Sequence, residues 1–200
     1  MSDRIIDWLF GVMARPVSTL NEIAREKPVG WALLVYLGVT ILVLLASIYG
    51  DESYRMVEES LLELGLYLPI SGLVIGVLIF AVAALFASAG ILHLLARLFG
   101  GTGGYWNLFS AYGFTDFPMI ISAPVTLFAA YLGTVGSILS ALIAFGLSVW
   151  VIVLQVIAVR ESHNLSTGAS IGAYVIYFVV LAAIILAIVA AFVVALIMAV

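Results

Sequence analysis

Few side chains in this 200-residue chain are able to do chemistry, and most of them fall within or near one stretch, Gly90 to Pro124. His93 and Arg97 lie four apart, so they share one face of a helix. On the interior of a helical bundle that pair makes a proton or anion site. At the end of a span, Arg97 instead snorkels to the headgroups while His93 makes an interhelical hydrogen bond. Asp116 lies about ten residues into an apolar segment that begins near Tyr105. At the helical rise this is roughly 15 Å, so its carboxylate falls near a bilayer midplane. There, ionisable groups are costly and mark function by default. The alternative is local: before Phe117-Pro118, Asp116 sits where it would cap a helix that starts there. Gln155, in a later apolar segment, reads as interhelical hydrogen-bonding glue.

Other signatures are excluded by composition and spacing. GGTGG at 100–104 lacks the Lys-Ser/Thr pair of a phosphate loop and the spacing of a dinucleotide fingerprint, and reads as a tight, flexible turn. No HExxH and no cysteine occur. His163 beside Glu161 is too small a set for a metal. The chain therefore reads as non-enzymatic, with no cofactor and no metal. Asn164-Leu165-Ser166 matches a glycosylation acceptor by chance, since the topology derived below puts it on the cytoplasmic side.

The elements that must position these residues are set by hydropathy. The chain is 66% hydrophobic and 9% charged, against about 25% charged in soluble domains. That much apolar surface in so short a chain defines an all-α, polytopic integral membrane protein whose first partner is the lipid bilayer. The net charge of -4 argues against a nucleic-acid partner. Five apolar segments are long enough to span: about 30–49, 67–99, 105–131, 135–159 and 168–200. They form one transmembrane domain over 29–200, with the second and third spans at its centre. Residues 1–28 form a cytoplasmic amphipathic segment of two short interfacial helices separated at Pro16. Ile5, Ile6, Leu9, Val12 and Met13 recur at helical spacing in the first; Val17, Leu20 and Ile23 line one side of the second. Packing on the ends of the spans suits these helices as well as lipid contact. Gly72 with Gly76 and Gly168 with Gly172 have the spacing of close helix approach. Arg4, Arg15, Arg25, Lys27, Arg97 and Arg160 all fall on one side of a five-span topology. That places the N-terminus in the cytoplasm and Val200 outside.

In order along the chain stand Arg15-Pro16, HLLARLFGGTGGYWNLF, AYGFTDFP and SHNLSTGAS. In that order, with five spans, they resemble the Yip family of Ypt-interacting-protein-domain membrane proteins. The resemblance implies a five-helix membrane domain without catalysis, and family-pattern positions at Gly100, Gly101, Tyr112, Gly113, Pro118 and His163 that are structural. Eukaryotic members bind prenylated small GTPases through the N-terminal portion. Here that portion is short and lacks the acidic-leucine-tyrosine-glycine-proline element, which implies a prokaryotic member in a cell membrane. The reading that follows is a protein that organises membrane or binds membrane or cytoplasmic partners. The alternative, from Asp116 and His93, is a small transport, channel or lipid-translocation module.

Overall fold

The computed structural model describes residues 2–50, 53–63, 65 and 69–199; the expected start of the second span at Tyr67 and the placement of Val200 lie outside them. All regular structure among these residues is helical: α1 Ser2–Ala14, α2 Pro16–Glu26, α3 Val29–Gly50, α4 Ser53–Glu63, α5 Ile70–Leu98, α6 Tyr105–Thr115, α7 Ser122–Ala129, α8 Gly133–His163 and α9 Thr167–Ala199. Two 3-10 stretches, Phe117–Ile121 and Ala130–Leu132, join α6, α7 and α8. Among the described residues four helical runs are long and apolar enough to cross a membrane: Val29–Gly50, Ile70–Leu98, the whole run Tyr105–His163, and Thr167–Ala195.

α6 is the centre. Every residue from Leu108 to Thr115 is buried, as befits a helix enclosed on all sides. It packs mainly against α2, α3, α5 and α8 and also touches α1, so the centre is this one short helix rather than the second and third spans alone. The break after it follows from Pro118 and Pro124. Each lacks a backbone N–H and clashes with the carbonyl one turn back, so a regular α-ladder cannot pass. The chain tightens instead to i→i+3 bonds, with the Met119 N–H donating to the Asp116 carbonyl at 2.9 Å. Hydroxyls take up further freed carbonyls: Thr115 Oγ1 donates to Tyr112 O at 2.7 Å and Ser122 Oγ to Met119 O at 2.6 Å. Gly113 lies against Ala32 near the start of α3, and Gly50 at its end lies against Thr126. The broken segment thus runs alongside α3 in the same direction.

At one end of the bundle α1 and α2 form a layer. Pro16 opens α2 at its first turn, and Lys27, at φ 53°, closes it with its N–H on the Ile23 carbonyl. Leu20 and Ile23 are buried against the bundle, whereas Val17 on the same helix is exposed. Ile5, Trp8 and Val12 of α1 are buried, and the Trp8 ring meets Phe114 edge-on at 6.0 Å. Arg4 lies 5.3 Å over Trp8 and pairs with Glu22 and Glu26, clasping α1 to α2. Asn21 donates to Glu161 at 2.8 Å and pins α2 to the end of α8.

Of the regularly spaced glycines, Gly76 and Gly168 have nothing within 4 Å of a Cβ, whereas Gly172 stands close against the Phe99 ring. Gly113, by contrast, would bring a Cβ to 2.9 Å from both the Ala32 carbonyl oxygen and its Cβ. Gly113→Ala is expected to lower the thermal stability of the purified protein by about 2 kcal/mol through overpacking. Gly76→Ala, with open space around it, is expected to leave it unchanged.

Candidate functional site

Two polar clusters occupy the bundle, and α6 separates them. The first joins α5 to α8. His93 Nδ1 and His163 Nε2 are 2.9 Å apart, and His163 Nδ1 lies 3.0 Å from Ser162 Oγ. Ser162 in turn donates to the Val159 carbonyl at 3.3 Å. The chain closes consistently when His163 Nδ1–H donates to Ser162 and Nε2 accepts from His93 Nδ1–H. His163 is wholly buried, and His93 is half-buried with its ring edge-on to Tyr105. Arg97, one turn along, is exposed.

The turn from 99 to 104 exists to hold this joint. Gly100, at φ 86°, follows the helix end; its N–H bonds Arg97 O at 3.1 Å, and the Gly101 N–H bonds Ala96 O at 2.9 Å. That pairing is a Schellman motif, which needs a left-handed residue where Gly100 stands. The next residues press on α8. A Cβ on Gly101 would meet His163 Cβ at 2.9 Å, and one on Gly103 would run into the Ser162 carbonyl. The Thr102 N–H donates to the His163 carbonyl at 3.0 Å, and Asn164 donates to Thr102 Oγ1 at 3.2 Å. The Gly-rich run is therefore a fitted joint rather than a flexible turn. Asn164 takes the left-handed position after α8, and Ser166 Oγ accepts from the Ala169 N–H at 3.2 Å as the cap of α9. The Asn-Leu-Ser triplet is thus a stop-and-start signal between two helices.

The second cluster joins the break after α6 to α8 and α9. Asp116 stands at the end of α6 and at the head of the 3-10 turn, with Pro118 in the first turn after it. Its carboxylate makes no capping bond to that turn. Gln155 Nε2 donates to Asp116 Oδ1 at 3.2 Å instead, while Gln155 Oε1 accepts from the Tyr174 hydroxyl. The local capping reading of Asp116 is replaced by a tertiary one: at φ -83° and ψ -4° its backbone continues the helical turn and lacks the extended conformation of a cap. Tyr177 donates to Ser88 Oγ at 2.8 Å, tying α9 to α5.

Asp116 and Gln155 are thus together, as are His93 and His163. Asp116 and His93 are not: Tyr105 sits beside His93, and Asp116 is eleven residues further along α6, about 16 Å at the helical rise. Tyr174, Tyr177 and Ser162 were not singled out from the sequence; polar groups on α9 and at the end of α8 gave no spacing signal. Among the described residues no group of three His, Asp or Glu is placed to hold a metal.

An all-helical bundle with long apolar runs and small internal polar clusters defines a multi-pass membrane protein. The Yip1 domain model matches residues 10–199, and the chain belongs to that family. Comparison with curated proteins finds no match, and comparison with solved structures finds none.

The two clusters predict different costs. A double-mutant cycle on His93→Leu and His163→Leu is expected to give a coupling of about 1 kcal/mol in thermal unfolding, the scale of interhelical hydrogen bonds in membranes. The cycle of His93→Leu with Asp116→Asn is expected to give none, since distant sites add.

Proposed function

We propose that the protein is a non-enzymatic, five-pass organiser of membrane that works through the layer built by α1 and α2. The observation that carries this reading is the two-sided character of α1. Ile5, Trp8 and Val12 are buried against the protein, while Ile6 and Phe10 on the other side are 52% and 67% exposed. α1 also exposes Arg4 and Asp7, α2 exposes Val17, and Arg15 stands exposed between the two helices. Apolar side chains rimmed by charge, on a helix at the end of a bundle, suit the headgroup region of a bilayer.

Five passes are supported by the run of the broken segment beside α3. From Ala32 to Gly50 α3 rises about 27 Å. From Gly113 to Thr126, with the 3-10 turn at about 2 Å per residue, the chain rises about 22 Å. Both approach the thickness of the hydrocarbon core. Arg4, Arg15, Arg25, Lys27, Arg97 and Arg160 gather at the end that carries α1 and α2, six of the seven basic residues. The positive-inside rule makes that end cytoplasmic.

The transport reading draws on Asp116 and His93 in one path. Among the described residues no hydrogen bond links their clusters, so that reading keeps only the Asp116–Gln155–Tyr174 cluster in its favour. Proteoliposome flux of protons or potassium is expected to equal the protein-free background for wild type and Asp116→Asn alike. Flux that needs the carboxylate reverses the order of the two readings.

Deletion of residues 1–26 does not test the layer, because Leu20 and Ile23 belong to the core and their loss unfolds it. The chain has no cysteine, so single labels are available. A spin label on Phe10→Cys in lipid nanodiscs is expected to contact lipid-dissolved oxygen, and one on Glu22→Cys to contact water. A water-exposed label at position 10 in pure lipid moves the assignment from membrane contact to a protein partner. Ile6→Ser with Phe10→Ser is expected to abolish any change in vesicle diameter that the wild type produces on reconstitution.

A further inference from the structure

Between the break after α6, α8 and α9 lies a cavity of about 330 Å³, within the size range of small-ligand sites. Its polar lining is Tyr112, Asp116, Gln155, Tyr174, Tyr177 and Ser148, whose hydroxyl is spent on the Ala144 carbonyl; its apolar lining includes Val151, Ile152, Phe178 and Leu181. Ile152 and Phe178 are 38% and 44% exposed on the outer surface of the bundle. The mouth therefore opens sideways, toward lipid, and the polar groups stand at its inner wall.

The hydrogen-bond inventory of that wall is nearly closed, and what is left open describes a ligand. Gln155 is used at both ends, by Asp116 and Tyr174. Tyr177 is used by Ser88. The Tyr112 hydroxyl has no hydrogen-bond partner among the described residues; its ring is buried, but the oxygen is not among the fully buried orphan atoms and so meets the cavity. A tyrosine hydroxyl in an apolar wall normally finds a partner. Asp116 has one oxygen engaged by Gln155 and is half-buried, which leaves acceptor capacity toward the cavity.

We propose that the cavity binds a membrane-soluble alcohol, an apolar body ending in a hydroxyl. The hydroxyl accepts from Tyr112 and donates to Asp116, and the body lies between α8 and α9 against Val151, Ile152 and Leu181. Other head chemistries fit less well. An ether or ester has no hydrogen for Asp116, an ammonium has no lone pair for Tyr112, and a carboxylate sets a second acid beside Asp116. Of these four heads the hydroxyl both gives and takes a hydrogen bond without a charge. It also enters the hydrocarbon region without the cost that a charge carries there. Two lipid classes present this group, glycerides with a free hydroxyl and isoprenoid alcohols.

The test uses the full chain in saturated phosphatidylcholine nanodiscs and a diazirine-bearing hexadecanol as probe. Photolabelling is expected to saturate, with label on residues 148–155 and 174–181 by peptide mass spectrometry. The methyl ether of the same probe is expected to label about three- to tenfold less at equal concentration, the value of one hydrogen bond. Equal labelling by alcohol and ether overturns the proposal on the wild-type protein, with no variant required. So does stronger labelling by the matching amine. Tyr112→Phe, which keeps the ring, is expected to weaken labelling to the level of the ether; Leu181→Trp, which fills the cavity without touching its polar wall, is expected to abolish it. Undiminished labelling of a folded Leu181→Trp places the probe on the general lipid surface and also overturns the site. Competition by dioctanoylglycerol assigns the glyceride class and competition by farnesol the isoprenoid class, while competition by neither rejects both.

Discussion

Inside a bilayer every backbone N–H and C=O must find its partner within the protein, and this chain places two prolines where that demand is hardest to meet. The structure depends on how it is met. α6 lies in the middle of the bundle with α2, α3, α5 and α8 packed around it, and the 3-10 turn after it packs on α3 and α8 with Pro118 buried. Thr115 and Ser122 bond carbonyls within the broken stretch. A break on the lipid surface would leave such groups in hydrocarbon at several kcal/mol each. Enclosing it is what allows a carboxylate, Asp116, to stand at the same place with a fixed partner.

Close packing rather than apolar burial does the enclosing. Lipid is as apolar as leucine, so helices in a membrane gain little from hiding aliphatic side chains and much from approaching one another. Ala32, Val39 and Ala46 are the buried residues of α3, and alanines recur along the buried side of α5. Gly113, Gly101 and Gly103 stand where backbone meets backbone. The large exposed side chains of α8 and α9 face outward, where lipid serves as their solvent.

Much of the fold could be read from the residues in order. Hydropathy marks the apolar runs within a few residues of the helix ends, and Pro16, Pro118 and Pro124 mark where helices start or break. What the sequence does not carry is the identity of contacts between elements. His93 and His163 are 70 positions apart, and nothing local to either points to the other. Asp116 before Phe117-Pro118 has a complete local explanation as a cap, which its helical backbone and the placement of Gln155 displace. Glycine spacing misled for a related reason. In helices this rich in Gly and Ala, small-residue pairs arise everywhere, and which of them meets a neighbour is decided by rotation about the helix axis. The patterns around 100–104 and 163–166 were visible as strings; their meaning as two interlocked helix ends emerged only when Thr102 was found on the His163 carbonyl.

The attachment of the α1–α2 layer has a mechanical side. Asn21 holds Glu161, and two residues later His163 holds both His93 and the Gly-rich joint. Glu161 and His163 stand on the same last turn of α8, so that turn works as a common anchor plate for the surface layer and for α5. The layer cannot be lifted or rolled without loading the plate. Load taken there passes to α5 through the histidine pair and to α6 through the fitted loop. The far ends of α8 and α9, with their outward-facing side chains, lie outside this load path and are free to follow the thickness of the surrounding lipid.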